Sequence, residues 1–199
     1  MKIVSGLSGL ILGALLGLVS ALAAAGIIGP GISLGGNIKV KDWGSDWTIG
    51  SSAANPWTRA RVARHGLLAL TRAEAVYFTR NTDDTGDRLS AACTYKVSGG
   101  ALPAQWWSVT LYDATSYLPV NTDNALSYDL TDAAAAGDPG AWSFTVSPVP
   151  AEGSWVSSKS AGAFDLTLRL YKPGAALIAD PEGTLVPPDI EKISCGEAL

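Results

Sequence analysis

The N-terminal stretch GLILGALLGLVSALAAAGII, residues 9–28, contains no charged residue and limits what the first part of the chain can form. The apolar run continues to Ile32, so it exceeds the roughly 20 residues that cross a bilayer core as a helix. Pro30 and Gly31 are residues that end helices. The sequence therefore predicts a transmembrane helix within 1–32.

A cleaved secretory signal peptide is the alternative, because the small residues from Ala21 to Ala25 could form a cleavage site. The length of the run favours the anchor, which places the chain in the bacterial inner membrane. We expect the C-terminal domain in the periplasm, since only a few residues precede the helix and two widely spaced cysteines suit an oxidising compartment.

Small residues recur every four positions along one face of this helix, at Gly9, Gly13, Gly17, Ala21 and Ala25. Within a lipid bilayer, such a stripe lets two helix backbones approach closely. The stripe predicts packing against a helix of a membrane partner. The alternative is that it arises from composition alone, because glycine and alanine are frequent in apolar segments.

The remaining chain has the size and the charge of one acidic domain. Charged residues make up 16% of the 199 residues, and the formal net charge is −4. No dense run of Lys and Arg occurs, so a nucleic-acid partner has no electrostatic support. Glycine and serine recur over 33–54 without a helical period, which predicts an extended linker before a single domain over 55–199.

Cys93 and Cys195 are the two cysteines, and each lies beside a segment with strand character. In an oxidising compartment they would form a disulfide, which closes a loop of about a hundred residues and stabilises the fold by roughly 4 to 5 kcal/mol. Two buried free thiols are the alternative. With His65 as the single histidine, ligands for a structural zinc site are too few, and we predict neither a metal nor a cofactor.

The domain begins with a short helix and continues with strands. Asn55 is a typical N-cap and Pro56 suits the first helical position, which predicts a helix that runs to about Leu68. Apolar and polar residues then alternate in a series of segments, at 74–80, 91–97, 106–113, 142–146, 163–171 and 189–195. This pattern predicts a mainly β fold, an antiparallel β-sandwich of jelly-roll type with one short helix before the first strand.

The segment NTDDTGD, residues 81–87, separates the first two of these strands. Asn81, Asp83 and Thr85 alternate before Gly86, as ligands do at the start of a calcium loop. The twelfth position is Ala92, so the bidentate glutamate of such a loop is missing. A hairpin turn is the favoured interpretation.

Several segments in order resemble one bacterial family: NPWTRARVARHGLLALTRAEAVYFTR, LPAQWWSVTLYD, AFDLTLRLYKP and PPDIEKISC. Together they are similar to the domain of unknown function family 1214, over about 50–198. The resemblance implies a β-sandwich that follows a companion sandwich, of the domain of unknown function family 1254, in larger exported members. This chain has an apolar segment where the companion would lie, so the companion would be a separate protein.

No catalytic constellation is present, and we predict no catalytic residue. The chain has no Gly-x-Ser-x-Gly turn and a single histidine, which disfavours a serine hydrolase. Asp113 and Asp165 could act as paired carboxylates of a glycosidase, but the sequence does not place them at the required separation.

The polar side of AFDLTLRLY is the strongest candidate for a binding site. Asp165, Arg169 and Tyr171 alternate on it and could meet Tyr112 and Thr110 of a neighbouring strand, which predicts a ligand pocket. The alternative is a cross-strand ion pair between Asp165 and Arg169 on a solvated sheet. Trp106 and Trp107 are adjacent and point to opposite faces, so one of them belongs to the core.

These observations give two expectations of function. The first is a membrane-anchored periplasmic module without catalysis, an accessory subunit that binds another membrane or envelope protein through its N-terminal helix and its sandwich. The second is a sandwich that binds or processes an envelope glycan or lipid.

Overall fold

The computed structural model describes residues 2–29, 36–64 and 70–196. Its residues fall into two compact units. The first unit contains two helices, α1 (Lys2–Ala24) and α2 (Pro56–Arg64). The second unit, with residues 37–47 and the chain from Leu70 onward, contains all the strands.

Helix α1 ends earlier than the sequence predicts. Gly26 has a φ of 75°, in the left-handed region that glycine adopts readily. Its N–H donates to Ala23 O at 3.1 Å, and the N–H of Ile27 donates to Leu22 O at 3.0 Å. These two bonds form a Schellman motif, which satisfies the last carbonyls and stops the helix before Pro30 is reached.

The predicted transmembrane helix within 1–32 is therefore corrected to a helix of 23 residues. Among the described residues, no helix combines the length and the apolar character that crossing a bilayer requires. A Cβ atom added at Gly9, Gly13 or Gly17 would meet no atom within 4 Å. Packing along the stripe from Gly9 to Ala25 stays a prediction.

Helix α2 begins where the sequence predicts. The Asn55 side chain accepts hydrogen bonds from the N–H groups of Trp57 and Thr58, at 2.9 and 3.0 Å, and Pro56 is the first helical residue. This confirms the predicted N-cap. The predicted end near Leu68 lies outside the described residues, as does His65.

In the part of the chain that the structure describes, ten strands form two sheets, which lie in the second unit. Their bounds are β1 (Asn37–Val40), β2 (Trp43–Asp46), β3 (Ala75–Arg80), β4 (Cys93–Gly100), β5 (Ala104–Asp113), β6 (Ser127–Asp129), β7 (Ala141–Ser147), β8 (Trp155–Ser157), β9 (Phe164–Pro173) and β10 (Asp189–Cys195). One sheet has the order β1-β2-β3-β9-β5-β6, and the other has the order β10-β4-β7-β8. Short helices follow β6 and β9, namely α3 (Leu130–Ala135), α4 (Ala175–Ala179) and α5 (Pro181–Thr184).

The two sheets enclose one core, which confirms a mainly β, sandwich-like fold. Strand β9 contributes the side chains of Phe164, Leu166, Leu168 and Leu170 to this core. The rings of Trp107 on β5 and Trp142 on β7 lie 4.5 Å apart, so aromatic contacts join the sheets across the core. Trp107 is thus the core member of the tryptophan pair, and Trp106 points outward.

Three details of the strand arrangement differ from the sequence-based prediction. The segment predicted as an extended linker contains the hairpin β1–β2, which joins the six-stranded sheet beside β3, so two strands precede α2 and the predicted position of this helix before the first strand is wrong. Strands β7 and β8 pair in parallel, so the sandwich is not purely antiparallel. The segment 81–87 forms the predicted tight turn, closed by an antiparallel bridge between Thr82 and Arg88, but β3 and β4 belong to different sheets, so the segment is also a crossover between the sheets.

The crossover 81–87 is organised around two buried charged side chains. The Arg80 guanidinium is 2% exposed, lies 2.9 Å from the Asp84 carboxylate and donates to Asp83 O at 2.6 Å. The Asp83 carboxylate accepts from the N–H groups of Thr85 and Asp87 and lies 3.2 Å from Lys192 Nζ. The carboxylate that resembled a calcium ligand therefore binds its own turn and strand β10.

Cys93 and Cys195 face each other in the β4–β10 ladder and form the predicted disulfide. The bond lies at the edge strand of the four-stranded sheet and ties the last strand to the centre of the chain. Free cysteines are absent from the described residues.

The approach of Gly99 to the Trp142 ring gives a test of the core. A Cβ at Gly99 would overlap this ring, with Cη2 only 2.8 Å away, whereas a Cβ at Gly100 would meet Gly140 O at an ordinary 3.5 Å. Trp142 is held by Trp107 and by a hydrogen bond from its Nε1 to Gly100 O, so it has little room to move. We expect Gly99→Ala to lower the free energy of unfolding by about 1 to 3 kcal/mol.

Urea unfolding measures this change, and Gly100→Ala is the matched control, expected close to the wild type. Equal stability of the two variants would contradict the close packing of β4 on Trp142.

Candidate functional site

The outward face of the six-stranded sheet is polar around its central strand, β9. The ladders place Arg169 between Tyr77 on β3 and Ser108 on β5. The next row holds Thr79, Thr167 and Thr110, and Tyr112 lies opposite Asp165 beyond it. At the other end, Tyr171 lies opposite Trp106. We call these residues of β3, β5 and β9 the outward face.

Arg169 is the centre of this face. Its guanidinium donates to the Tyr112 hydroxyl and, at 3.4 Å, to Thr110 Oγ1. It also lies over the Tyr112 ring, 5.3 Å from the centroid. The residues Arg169, Tyr112 and Thr110, which the sequence predicted to meet, are thus brought together, and the guanidinium is held in a defined position.

Asp165 lies at one end of the outward face and is half-buried. Thr167 Oγ1 is its hydrogen-bond partner, at a long 3.4 Å. Burial raises the pKa of this carboxyl to about 6, the nearby Asp113 adds to the rise, and Thr167 and Arg88 offset it in part. In the part of the chain that the structure describes, Asp165 forms no ion pair, so the alternative of an Asp165–Arg169 pair is wrong.

The opposite end of the outward face is aromatic. The rings of Trp106 and Tyr171 are 5.2 Å apart and tilted by 58°. Both side chains are half-buried, and Trp106 Nε1 lies 3.5 Å from Thr131 Oγ1. Tyr171 was predicted from the alternation of β9, and its partnership with Trp106 follows only from the register of β5 against β9.

Three residues of the outward face escaped the sequence reasoning. Tyr77 and Thr79 alternate with buried neighbours in β3, but nothing in the sequence shows that β3 pairs with β9. Burial raises the pKa of the Tyr77 phenol, Tyr171 and Tyr112 add to the rise, and Arg169 partly offsets it. Ser108 is buried on β5, and nothing in the sequence around it indicates a residue of a site.

Other candidate sites have local structural roles. Asp113 accepts hydrogen bonds from Thr115 and Tyr117 and so organises the loop after β5. In the ranges that the structure describes, no group of three or more His, Cys, Asp or Glu side chains is placed to hold a metal ion. The outward face is therefore the candidate site.

Comparisons with known proteins bear on the family and the fold. A sequence model of the family described as "Protein of unknown function (DUF1214)" matches residues 74–175. No curated protein matches the chain.

Two solved structures are similar to this chain. The VPA0106 protein from Vibrio parahaemolyticus is 20% identical, with a TM-score of 0.53 over 71% of this chain and 36% of that chain. An uncharacterized protein from Burkholderia cenocepacia is 17% identical, with a TM-score of 0.37 over 63% of this chain and 31% of that chain. This chain thus spans about a third of the length of either protein, and the likeness to the Vibrio protein supports the fold alone.

The raised pKa of Asp165 predicts a pH-dependent stability. The folded pKa of about 6 lies above the ordinary 3.8, so the folded state binds more protons between these values and loses stability as the pH rises through them. Asp165→Asn does not titrate. Relative to the wild type, we expect its free energy of unfolding to gain about 1 to 3 kcal/mol between pH 4 and pH 8.

Guanidinium chloride unfolding at both pH values measures this difference. Glu152→Gln, at an exposed loop position, removes a carboxylate elsewhere and should show no such gain. A difference between Asp165→Asn and wild type that does not change with pH would contradict the raised pKa.

Proposed function

Since the chain belongs to the DUF1214 family, whose function is unknown, we propose its function from the site itself: it is a binding module that takes a polyhydroxylated ligand, such as an envelope glycan, on the outward face. The observation that carries this proposal is the row arrangement of that face. The half-buried Arg169 guanidinium lies at its centre, a ring pair at one end and a carboxyl at the other.

The chemistry of these groups fits a sugar chain better than an apolar ligand. Arg169, Tyr112, Tyr171 and the exposed Thr79 offer hydrogen-bond donors and acceptors that suit sugar hydroxyls, whereas Ser108, Thr110 and Thr167 are buried within the face and support it. The Trp106 and Tyr171 rings offer apolar surface against which the C–H face of a pyranose can pack. These partners lie on neighbouring strands of one sheet, so they are positioned before a ligand arrives.

The disulfide supports a location outside the cytoplasm. Bonds such as Cys93–Cys195 persist in oxidising compartments, and they are rare where cellular reductants keep thiols reduced. A bacterial protein in such a compartment is exposed to envelope glycans, which is the ligand class proposed here.

Binding to a panel of soluble neutral and acidic oligosaccharides tests the proposal. We expect at least one member to shift the amide resonances of β5 and β9 in ¹H–¹⁵N spectra of the full chain. Tyr171→Ala removes half of the ring pair, so its affinity should fall by at least about fivefold. Tyr117→Ala removes a tyrosine that is 66% exposed in a loop, and it should bind like the wild type.

The proposal fails if no oligosaccharide binds, or if the shifted resonances lie on the four-stranded sheet. Equal losses in Tyr171→Ala and Tyr117→Ala would also contradict it, because the ring pair would then have no special part.

A second candidate function is that of an accessory module for another envelope protein. A loop after β5 exposes three apolar side chains, Tyr117, Leu118 and Val120, with Val120 92% exposed. Asp113 fixes this loop through hydrogen bonds from the N–H groups of Thr115 and Tyr117. The matched region covers 36% of the similar Vibrio chain, so there the sandwich is part of a larger protein.

This candidate predicts a complex with a separate protein of the companion family, DUF1254. Size-exclusion chromatography of the two purified proteins should show a joint peak for the wild type and for Val149→Asp, which is exposed in another loop. Val120→Asp should lose the joint peak, because it places a charge in the apolar contact. Separate elution of the wild-type proteins would contradict this candidate.

A further inference from the structure

The Arg169 guanidinium is only partly satisfied by the protein. It donates to two neutral hydroxyls, those of Thr110 and Tyr112, and these bonds leave N–H donors on the guanidinium for a ligand. No carboxylate of the described residues lies within ion-pair distance of it. Arg169 is therefore a fixed, half-buried positive charge that has no counter-ion among residues 2–29, 36–64 and 70–196.

Two carboxylates on the outward face do not pair with Arg169, because one bonds to other groups and the other lies too far along β9. Asp129 lies in the same row two strands away, and its side chain accepts from the N–H groups of Thr131 and Asp132 at the start of α3. Asp165 is four residues along β9, with Thr167 between the two charged side chains on this face. Neither carboxylate competes with an anionic ligand for the guanidinium.

A guanidinium is suited to one kind of ligand group. Its planar fork forms paired, charge-assisted hydrogen bonds with carboxylates and phosphates. Ser108 and Thr110 on β5 are buried beside Arg169, and the half-buried Tyr171 is the next outward residue along β9. An anionic group attached to a sugar ring can bind the guanidinium while the ring packs against Tyr171.

From this arrangement we propose that Arg169 is the subsite for the carboxylate of an acidic sugar, and that the module selects acidic over neutral glycans. This inference rests on the proposed glycan-binding function. Thr110 and Tyr112 are positioning residues, because they hold the guanidinium and leave the ligand contact to Arg169.

Paired probes test the inference: a galacturonic acid hexamer, and the same hexamer with its carboxylates reduced to alcohols. Isothermal titration calorimetry of the full chain should show at least about tenfold tighter binding of the acidic hexamer. Arg169→Ala should bind both hexamers alike, and Arg169→Lys should keep a smaller preference, since lysine retains the charge and lacks the fork. Lys96→Ala, which removes a positive charge from the other sheet, should keep the full preference.

The outcomes separate this inference from the function on which it rests. Equal binding of the two hexamers by the wild type overturns the carboxylate subsite and leaves glycan binding in place. A preference for the acidic hexamer that persists in Arg169→Ala overturns the assignment to Arg169. If neither hexamer binds and the chain instead binds vesicles of phosphatidylglycerol, both the subsite and the glycan-binding function fail.

Discussion

The pairing of β9 with β3 on one side and β5 on the other is the constraint on which the rest of the fold depends. Successive residues of a strand point to opposite faces, so one strand serves two purposes. Phe164, Leu166, Leu168 and Leu170 bury their side chains between the sheets. The residues that alternate with them, Asp165, Thr167, Arg169 and Tyr171, form the middle of the outward face. A shift of one residue in either ladder would exchange the two sets and destroy both the core and the site.

A network of charges joins the two sheets at the crossover 81–87. Arg80 leaves the six-stranded sheet, binds Asp84 and the Asp83 carbonyl, and is almost completely buried. Asp84 in turn pairs with the backbone of Ile190 on β10, through an N–H···O bond of 2.9 Å and a side-chain bond of 3.1 Å. Arg80 is buried and Asp84 is 40% exposed, so removing Asp84 would leave a buried guanidinium with fewer partners, and the network ties the crossover to strand β10.

The sequence predicted the elements that depend on the local alternation of apolar and polar residues. It missed the features that depend on how the strands pair with one another. The strands β5, β7, β9 and β10 and the N-cap at Asn55 follow from apolar spacing and capping chemistry, as does the meeting of Arg169 with Tyr112. The strands β1, β2 and β8 have only three or four residues, too few to show a period, and they form because longer strands offer an edge. The early end of α1 depends on Gly26. In a segment that is rich in small apolar residues, one further glycine does not stand out as a signal that ends the helix.

The outward face also differs from a sheet surface that is optimised for stability alone. Asp165 and Arg169 carry opposite charges on one strand, yet each is half-buried and bonded only to neutral hydroxyls. Burial raises the pKa of Asp165 to about 6, so its ionised form costs free energy at neutral pH. Replacing such groups by threonine or by a matched ion pair would remove this cost. The face gives up stability and keeps a fixed guanidinium and a carboxyl that have no ion-pair partner among the described residues, as the binding function proposed above would require.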